Sequence, residues 1–301
     1  MKYKPAQKSP KDFSMSKITI RLLETPEEIT QTEDLQRLVW PGSETEIVPA
    51  HLLITAAHNG GLVLGAFDGE QLVGFVFGFA GIEMVPDGPR LKHCSHMLGV
   101  HPAYRDAGLG FRLKRAQWQM VRRQGLDHIT WTYDPLLSRN ARLNIAKLGA
   151  VCNTYHRSEY GEMRDGLNAG LPSDRFQVDW WINTPRVQRR LGREARSPLG
   201  LGSFLKAGIR PLVRVEPDAD GWPRPPQAWN PPEGRLILVE IPSDFQALKA
   251  ANLPLARDWR FFSRQVFETC FAAGYLVTDF VFEQGHSFYV LTYGESILGE
   301  K

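Results

Sequence analysis

Apolar and polar positions alternate along ITIRLLET, from Ile18, with the two-residue period of a half-buried strand. From Pro26 to about Trp40 the period becomes helical, opened by Thr25-Pro26 and acidic residues in the first turn. Pro49 to His58 reads as a short second helix. GLVLGAFDGEQLVGFVFGFAG, from Gly61, sets two apolar runs around Asp68-Gly69 and predicts a hairpin, with Lys92 to Val100 as a further strand. Gly108 to Gln124 is a helix: Leu109, Leu113, Ala116, Met120 and Val121 share a face, and Arg112, Arg115, Arg122 and Arg123 lie largely elsewhere. Gly125 ends it. HITWTYDP is the next strand, Ser138 to Leu148 a helix stopped by Gly149, and Val151 to Tyr160 and Phe176 to Ile182 are extended. The order β-α-α-β-β-β-α-β-α-β-β mixes hairpins with crossovers. It predicts an α/β (α+β) fold, a mixed sheet flanked by helices.

The pattern breaks near Pro185. PRVQRRLGREARSPLG is basic, and Val215 to Pro232 is rich in Pro, Trp and Asp, an irregular connection. Periodicity then returns: RLILVEIP as a strand, Pro254 to Ala273 as a helix, YLVTDFVFE and SFYVLTYG as strands. The breaks divide the chain into a flexible tail (1–16), a first domain (17–184), a connection (185–233) and a C-terminal α/β module (234–301). A weak echo links the halves: ITWTYDP, helix, LGAVCNTY against LILVEIP, helix, AAGYLVTDF. Each is strand, proline turn, helix, glycine stop, strand, so the module is open to being a partial duplicate of the first domain.

Composition narrows the class. The 301 residues are 43% hydrophobic and 23% charged, ordinary for a soluble globular protein, and a net charge of +3 does not by itself call for nucleic acid or a membrane. The run RVQRRLGREAR lacks repeated aromatics and contains a glutamate, so it reads as a solvated basic face or partner surface rather than a nucleic-acid site. The three cysteines form no C-x-x-C pair, so no metal site or disulfide framework is indicated, and buried thiols in a cytoplasmic setting are expected. The Lys-rich start is followed by no apolar segment, and no run long enough to span a membrane occurs.

The candidate chemistry lies in LGVHPAYRDAGLGFRLK, Leu98 to Lys114. Two glycines at the mouth of a helix, behind an arginine, let a phosphate approach unpartnered backbone N–H groups. A P-loop needs G-K-[ST] after its glycines, and Phe111 follows Gly110. A dinucleotide fingerprint needs a small residue where Leu113 stands. R-x-x-G-x-G at a strand-to-helix turn is the reading that fits, through Arg105, Gly108 and Gly110. With this motif and the element order from Ile18 to about Ile182, the chain resembles the GNAT superfamily of acyl-CoA-dependent N-acyltransferases. DPLLSRNARLNIAKLGA and YGEMRDGLNAGLPSDR resemble a bacterial group of acetyltransferases within it.

The resemblance implies acetyl-CoA, or another acyl-CoA, as co-substrate and an amine as acceptor, with no metal. Backbone amides at Ala107, Gly108, Leu109, Gly110 and Phe111 would meet the pyrophosphate. Leu98 and Val100, on a fourth strand that splays from its neighbour, would pair with the pantetheine arm. Arg105 and Arg112 would meet nucleotide phosphates, and Asn140 and Asn144 would hydrogen-bond coenzyme A. Many relatives have a glycine where Asp106 stands, so Asp106 is expected to face solvent. Relatives also often place a tyrosine four residues before the glycine that ends the next helix, to protonate the leaving thiolate. That position is Ile145.

Acyl transfer to an amine still needs a proton source and a route for the amine's proton. Tyr155 is the substitute acid of first choice, ahead of Tyr133 and Tyr160. His96, on the fourth strand, and Glu83, on a loop before it, are candidate bases, with His93 beside them. GEMRDGLNAGLPSDRF, from Gly161, is a polar insertion placed to wall an acceptor site, with Asp165, Asn168, Asp174 and Arg175 as contacts or as turn residues. The sequence therefore leaves two readings: an acyltransferase, or an acyl-CoA-binding sensor without catalysis. The extension is free to complete the acceptor pocket, to mimic a second half or to form a homodimer interface.

Overall fold

The structure is a computed structural model that describes residues 18–42, 44–192 and 199–294. The proposed tail and part of the basic run lie outside the described residues.

The first half runs β1 (Thr19–Leu22), α1 (Pro26–Val39), α2 (Ala50–His58), β2 (Leu62–Asp68), β3 (Gln71–Val85), β4 (Gly88–Val100), α3 (Leu109–Arg123), β5 (His128–Tyr133), α4 (Ser138–Ala141, continued as a π-helical turn over Arg142–Lys147), β6 (Val151–His156) and β7 (Arg175–Trp181). Local chemistry sets the ends. Thr25 caps α1 by accepting from the Glu28 N–H, with Pro26 in the first turn. Gly125 and Gly149 take the left-handed φ that a helix-ending residue needs. The β3–β4 hairpin is longer than the sequence reading, pairing out to Val85 and Gly88, so Glu83 stands on a strand opposite Arg90 rather than on a loop.

The second half continues α5 (Pro185–Leu191), α6 (Leu201–Lys206), β8 (Pro211–Val213), β9 (Glu216–Pro217), β10 (Pro223–Arg224), β11 (Leu236–Ile241), α7 (Phe245–Ala251), α8 (Leu253–Ala272), β12 (Tyr275–Glu283) and β13 (His286–Tyr293). It joins the first half in one eleven-stranded sheet, ordered β1-β2-β3-β4-β5-β7-β6-β12-β13-β11-β8.

That order is a near-mirror about the β6–β12 seam. On one side β4 runs parallel to β5, and β5 and β6 each run antiparallel to β7. On the other side β8 runs parallel to β11, and β11 and β12 each run antiparallel to β13. The echo in the sequence is thus a repeat in space: Gly149 before β6 and Gly274 before β12 both have left-handed φ, 79° and 88°. The seam strands pair at Cys152 and Val277. Side chains do most of the joining. One buried cluster contains Ile145, Cys152, Phe176 and Trp180 of the first half with Trp259, Phe267, Val277 and Tyr289 of the second. The Tyr133 and Tyr289 hydroxyls meet at 3.1 Å, and those of Ser138 and Ser287 at 2.7 Å.

Two arginines of the basic run also turn into this seam. Arg190 donates to the Ala146 carbonyl and pairs with Asp279, and Arg186 donates to the carbonyls of Gly149 and Thr278. The expected solvated basic face is therefore in part a clamp. It satisfies carbonyls left free where the α4 turn ends.

Candidate active site

β4 and β5 pair only at His93–Ile129 and Cys94–Thr130. From Ser95 onward β4 stays hydrogen-bonded to β3 alone, so the backbone edge of Leu98 to Val100 that faces β5 has no strand partner. The parting coincides with a bulge: Met97 pairs with Phe77 and Ser95 with Gly78, leaving His96 as the extra residue.

The chain leaves β4 through a short 3-10 turn at Pro102–Tyr104 and reaches Gly108, the N-cap of α3. Gly108 has φ 78°, no side chain caps the helix, and the space where a Cβ would stand is open. The first-turn amides of a fifteen-residue helix are thus uncapped behind an exposed Ala107–Gly108 peptide. Uncapped amides of this kind are able to receive an anion such as a phosphate. At Gly110 a Cβ would make only ordinary contacts, 3.6 Å from Leu143 and Leu98, so packing does not require a glycine there.

Asp106 takes a left-handed φ of 66°, a conformation that a glycine adopts freely. Its carboxylate is 81% exposed and pairs with Arg139 at 2.7 Å. Arg105 and Arg112 are drawn inward: Arg105 donates to the carbonyls of Val100 and Val39, and Arg112 to that of Ile18. Asn140 is half-buried and Asn144 buried; among the described residues neither side chain has a hydrogen-bond partner. Ile145 is fully buried, deep in the seam cluster.

Where β4 and β5 part, α3 lowers a buried lysine between them. Lys114 Nζ donates to Ser95 Oγ at 2.8 Å and Gln117 Oε1 at 3.1 Å, and lies 3.6 Å from the Trp131 ring centroid. Ser95 also donates to Gln117 Oε1. With its oxygen so engaged, Gln117 donates its Nε2–H to His93 Nε2 at 3.1 Å. His93 is therefore neutral. Burial, with the Lys114 charge, lowers its pKa to about 3. Burial likewise holds Lys114 well below the usual lysine value. This network was missed in the sequence. Its signal was present: Gln117 stands four residues from both Leu113 and Val121, a polar residue on the apolar face of α3.

The three candidates for acid and base are not brought together. His96 is exposed at the bulge, its ring edge-on to Phe77 and tilted to Phe79, and the surrounding protein lowers its pKa. Glu83 is engaged with Arg90 at 2.6 Å and lies 3.6 Å from His128, whose ring stacks on Trp181. Arg90, Lys92 and His128 lower the Glu83 pKa against the opposing effect of burial. Tyr155 lies on β6, beyond β7, and donates to Asp174 at 2.8 Å. Burial, then the Asp174 charge, raises its pKa. Tyr160 lies past the end of β6 and its hydroxyl meets Thr132.

The insertion from Gly161 reaches the α1–α2 connection: the Gly166 N–H donates to the Pro41 carbonyl and the Arg164 N–H to Glu46. Its acidic residues are engaged internally. Asp165 accepts from Leu167 and Asn168, and Asp174 from Tyr155, Ser158 and Arg264.

Residues 27–149 match the family model described as the acetyltransferase (GNAT) family. That stretch, less than half of the chain, is similar to GNAT domains. No curated protein matches the chain. Among solved structures, Arabidopsis thaliana NAA60 in complex with acetyl-CoA is 16% identical, covering 55% of this chain and 99% of its own, with a TM-score of 0.44. The GNAT-family acetyltransferase from Streptococcus pneumoniae is 16% identical over 54% of this chain and 97% of its own, TM-score 0.42. An aminoglycoside 6'-acetyltransferase type Ii is 20% identical over 55% and 97%, TM-score 0.42. The GNAT match ends at Gly149, before β6, so the strands that build the seam lie outside it. Among the described residues no group of His, Cys, Asp and Glu could hold a metal, and no helix is long and apolar enough to cross a membrane.

Proposed function

We propose that this protein is an N-acyltransferase that moves an acyl group, acetyl in the first instance, from a coenzyme A thioester to an amine. The reading rests on one arrangement: a strand that parts from its parallel neighbour and leads directly to an uncapped, glycine-started helix. The amides of Ala107 to Phe111 bind the pyrophosphate, and the free edge of Leu98 to Val100 takes the pantetheine amides. Asn140 and Asn144 supply further donors. Arg105 and Arg112 contribute charge to the cradle without reaching out as free side chains.

His96 is the base this geometry favours. It stands at the parting of the strands, is open to solvent, and its lowered pKa keeps it neutral near pH 7. Glu83, held by two cations, is the weaker base. Tyr155 serves as proton donor only if its bond to Asp174 breaks. This supports a second reading, an acyl-CoA sensor without turnover, because Ile145 fills the family's tyrosine position with a core side chain. Calorimetric titration with acetyl-CoA and desulfo-CoA, on the native protein and on Gly108→Glu, tests the shared part. Binding to the native protein alone supports both readings, and no binding to it overturns both. Thiol release on adding amines, lost in His96→Ala, selects the enzyme.

A further inference from the structure

The seam between the two halves encloses a cavity that neither strand pairing nor the cradle explains. Its walls come from both halves: Asp134 and Arg175 with the 161–174 loop on one side, Lys249 and Arg260 on the other. Its volume is about 10 Å³, room for a single particle close to water in size.

The charges around it do not cancel. Arg260 is spent on Asp134 through a two-pronged ion pair, with its Nε left without a partner. Burial alone would lower the Arg260 pKa, and the Asp134 charge outweighs it. Arg175, 6% exposed, donates only to neutral acceptors: the Asp174 carbonyl, the Asn168 side-chain oxygen and the Met163 sulfur. Lys249 donates to the Leu167 carbonyl at 2.8 Å. Asp165 is the other carboxylate whose field reaches both Arg175 and Lys249. Asp174 is matched by Arg264. Three cations thus face two carboxylates; burial lowers the Lys249 pKa, whereas neither arginine can shed its proton. Uncompensated buried charge is costly, and one small anion cancels it.

We propose that this cavity binds a singly charged monatomic anion, a halide, and that the bound anion ties the C-terminal half to the first. The site uses none of the cradle or strand-edge residues and stands independently of the acyltransferase reading.

The test is thermal unfolding of the full chain at constant ionic strength, in isethionate as a bulky reference anion and in chloride, bromide, formate or acetate. At about 100 mM a site of millimolar affinity raises Tm by roughly 3–6 °C over the reference. A rise with halides alone supports the proposal, and an equal rise with formate and acetate, too large for this cavity, overturns it. Lys249→Met, at a half-buried position, removes one cation and abolishes the rise. Arg175→Met removes a second, and Lys249→Met keeps the test decisive if that variant does not fold. Equal Tm values in all salts overturn the proposal, and so does a rise that persists undiminished in Lys249→Met. Bromide soaked into crystals gives an anomalous peak between Arg175 and Lys249 if the site is occupied.

Discussion

The chain contains two places where parallel strands meet beside an antiparallel pair, and only one has the makings of an active site. At β4–β5, thirteen-residue β4 runs on past its last pair with β5 into the Gly108 turn and a long helix. At β8–β11, β8 is three residues long, and the chain passes through the β9–β10 ribbon before reaching β11. The two junctions share their topology. They differ in strand length, in a positive-φ glycine at a helix start, and in uncapped amides. The repeat supplies a sheet edge to pack on, and the glycine turn on which the proposed chemistry rests has no counterpart at the second junction.

The sharpest break of the comparison is Gly108→Glu. It puts a carboxylate in the open space of the cradle and strains a left-handed backbone. Coenzyme A affinity, read by calorimetry, is expected to fall at least about 100-fold. Arg210→Ala, beside β8, is expected to leave it unchanged; equal losses would make the two junctions functionally alike. Next in size is Arg260→Met, which leaves Asp134 buried and unpaired. A loss of about 3–5 kcal/mol is expected, a fall in Tm of about 10 °C. A change under about 1 kcal/mol would show that the second half adds little to the first.

Acidification separates the parting strands from the seam. His93 has a native pKa of about 3 against an ordinary 6.5. Between these values the unfolded chain binds a proton that the native state does not. Stability is therefore whole above pH 6.5 and falls as the pH drops below it, by about 1.4 kcal/mol per unit from this group. Denaturant titrations of His93→Gln from pH 7 to 5 are expected to show a shallower slope by that amount. The smallest effect is Asp106→Gly. It relieves a positive φ and gives up an exposed ion pair of little worth, with a net gain of about 0.5–1 kcal/mol. A loss instead would mean that the Asp106–Arg139 contact shapes the cradle.

The first eleven elements were legible because each announces itself locally. Thr25-Pro26 opens a helix, Asp68-Gly69 turns a hairpin, and Gly125 and Gly149 stop helices. The cradle was legible for the same reason, since a glycine turn before an amphipathic helix needs no distant residue. Glu83 was misplaced because nothing local marks the end of a strand whose hairpin arm continues to Val85. The buried network around Lys114 was overlooked because one element supplies Lys114 and Gln117 and another supplies His93 and Ser95.

By itself the sequence determined what arises within a few residues: the element order, the uncapped start of α3, the absence of a tyrosine at position 145, and the echo between halves. Only the tertiary structure decided how those pieces meet. It turned the echo into one continuous sheet, drew Arg186 and Arg190 inward as a clamp, engaged Tyr155 with Asp174, and gathered three cations around two carboxylates in the seam. The physical reason is range. Caps, turns and periodicity are set by neighbours in the chain, whereas burial and charge balance depend on residues more than a hundred positions apart, such as Asp134 and Arg260.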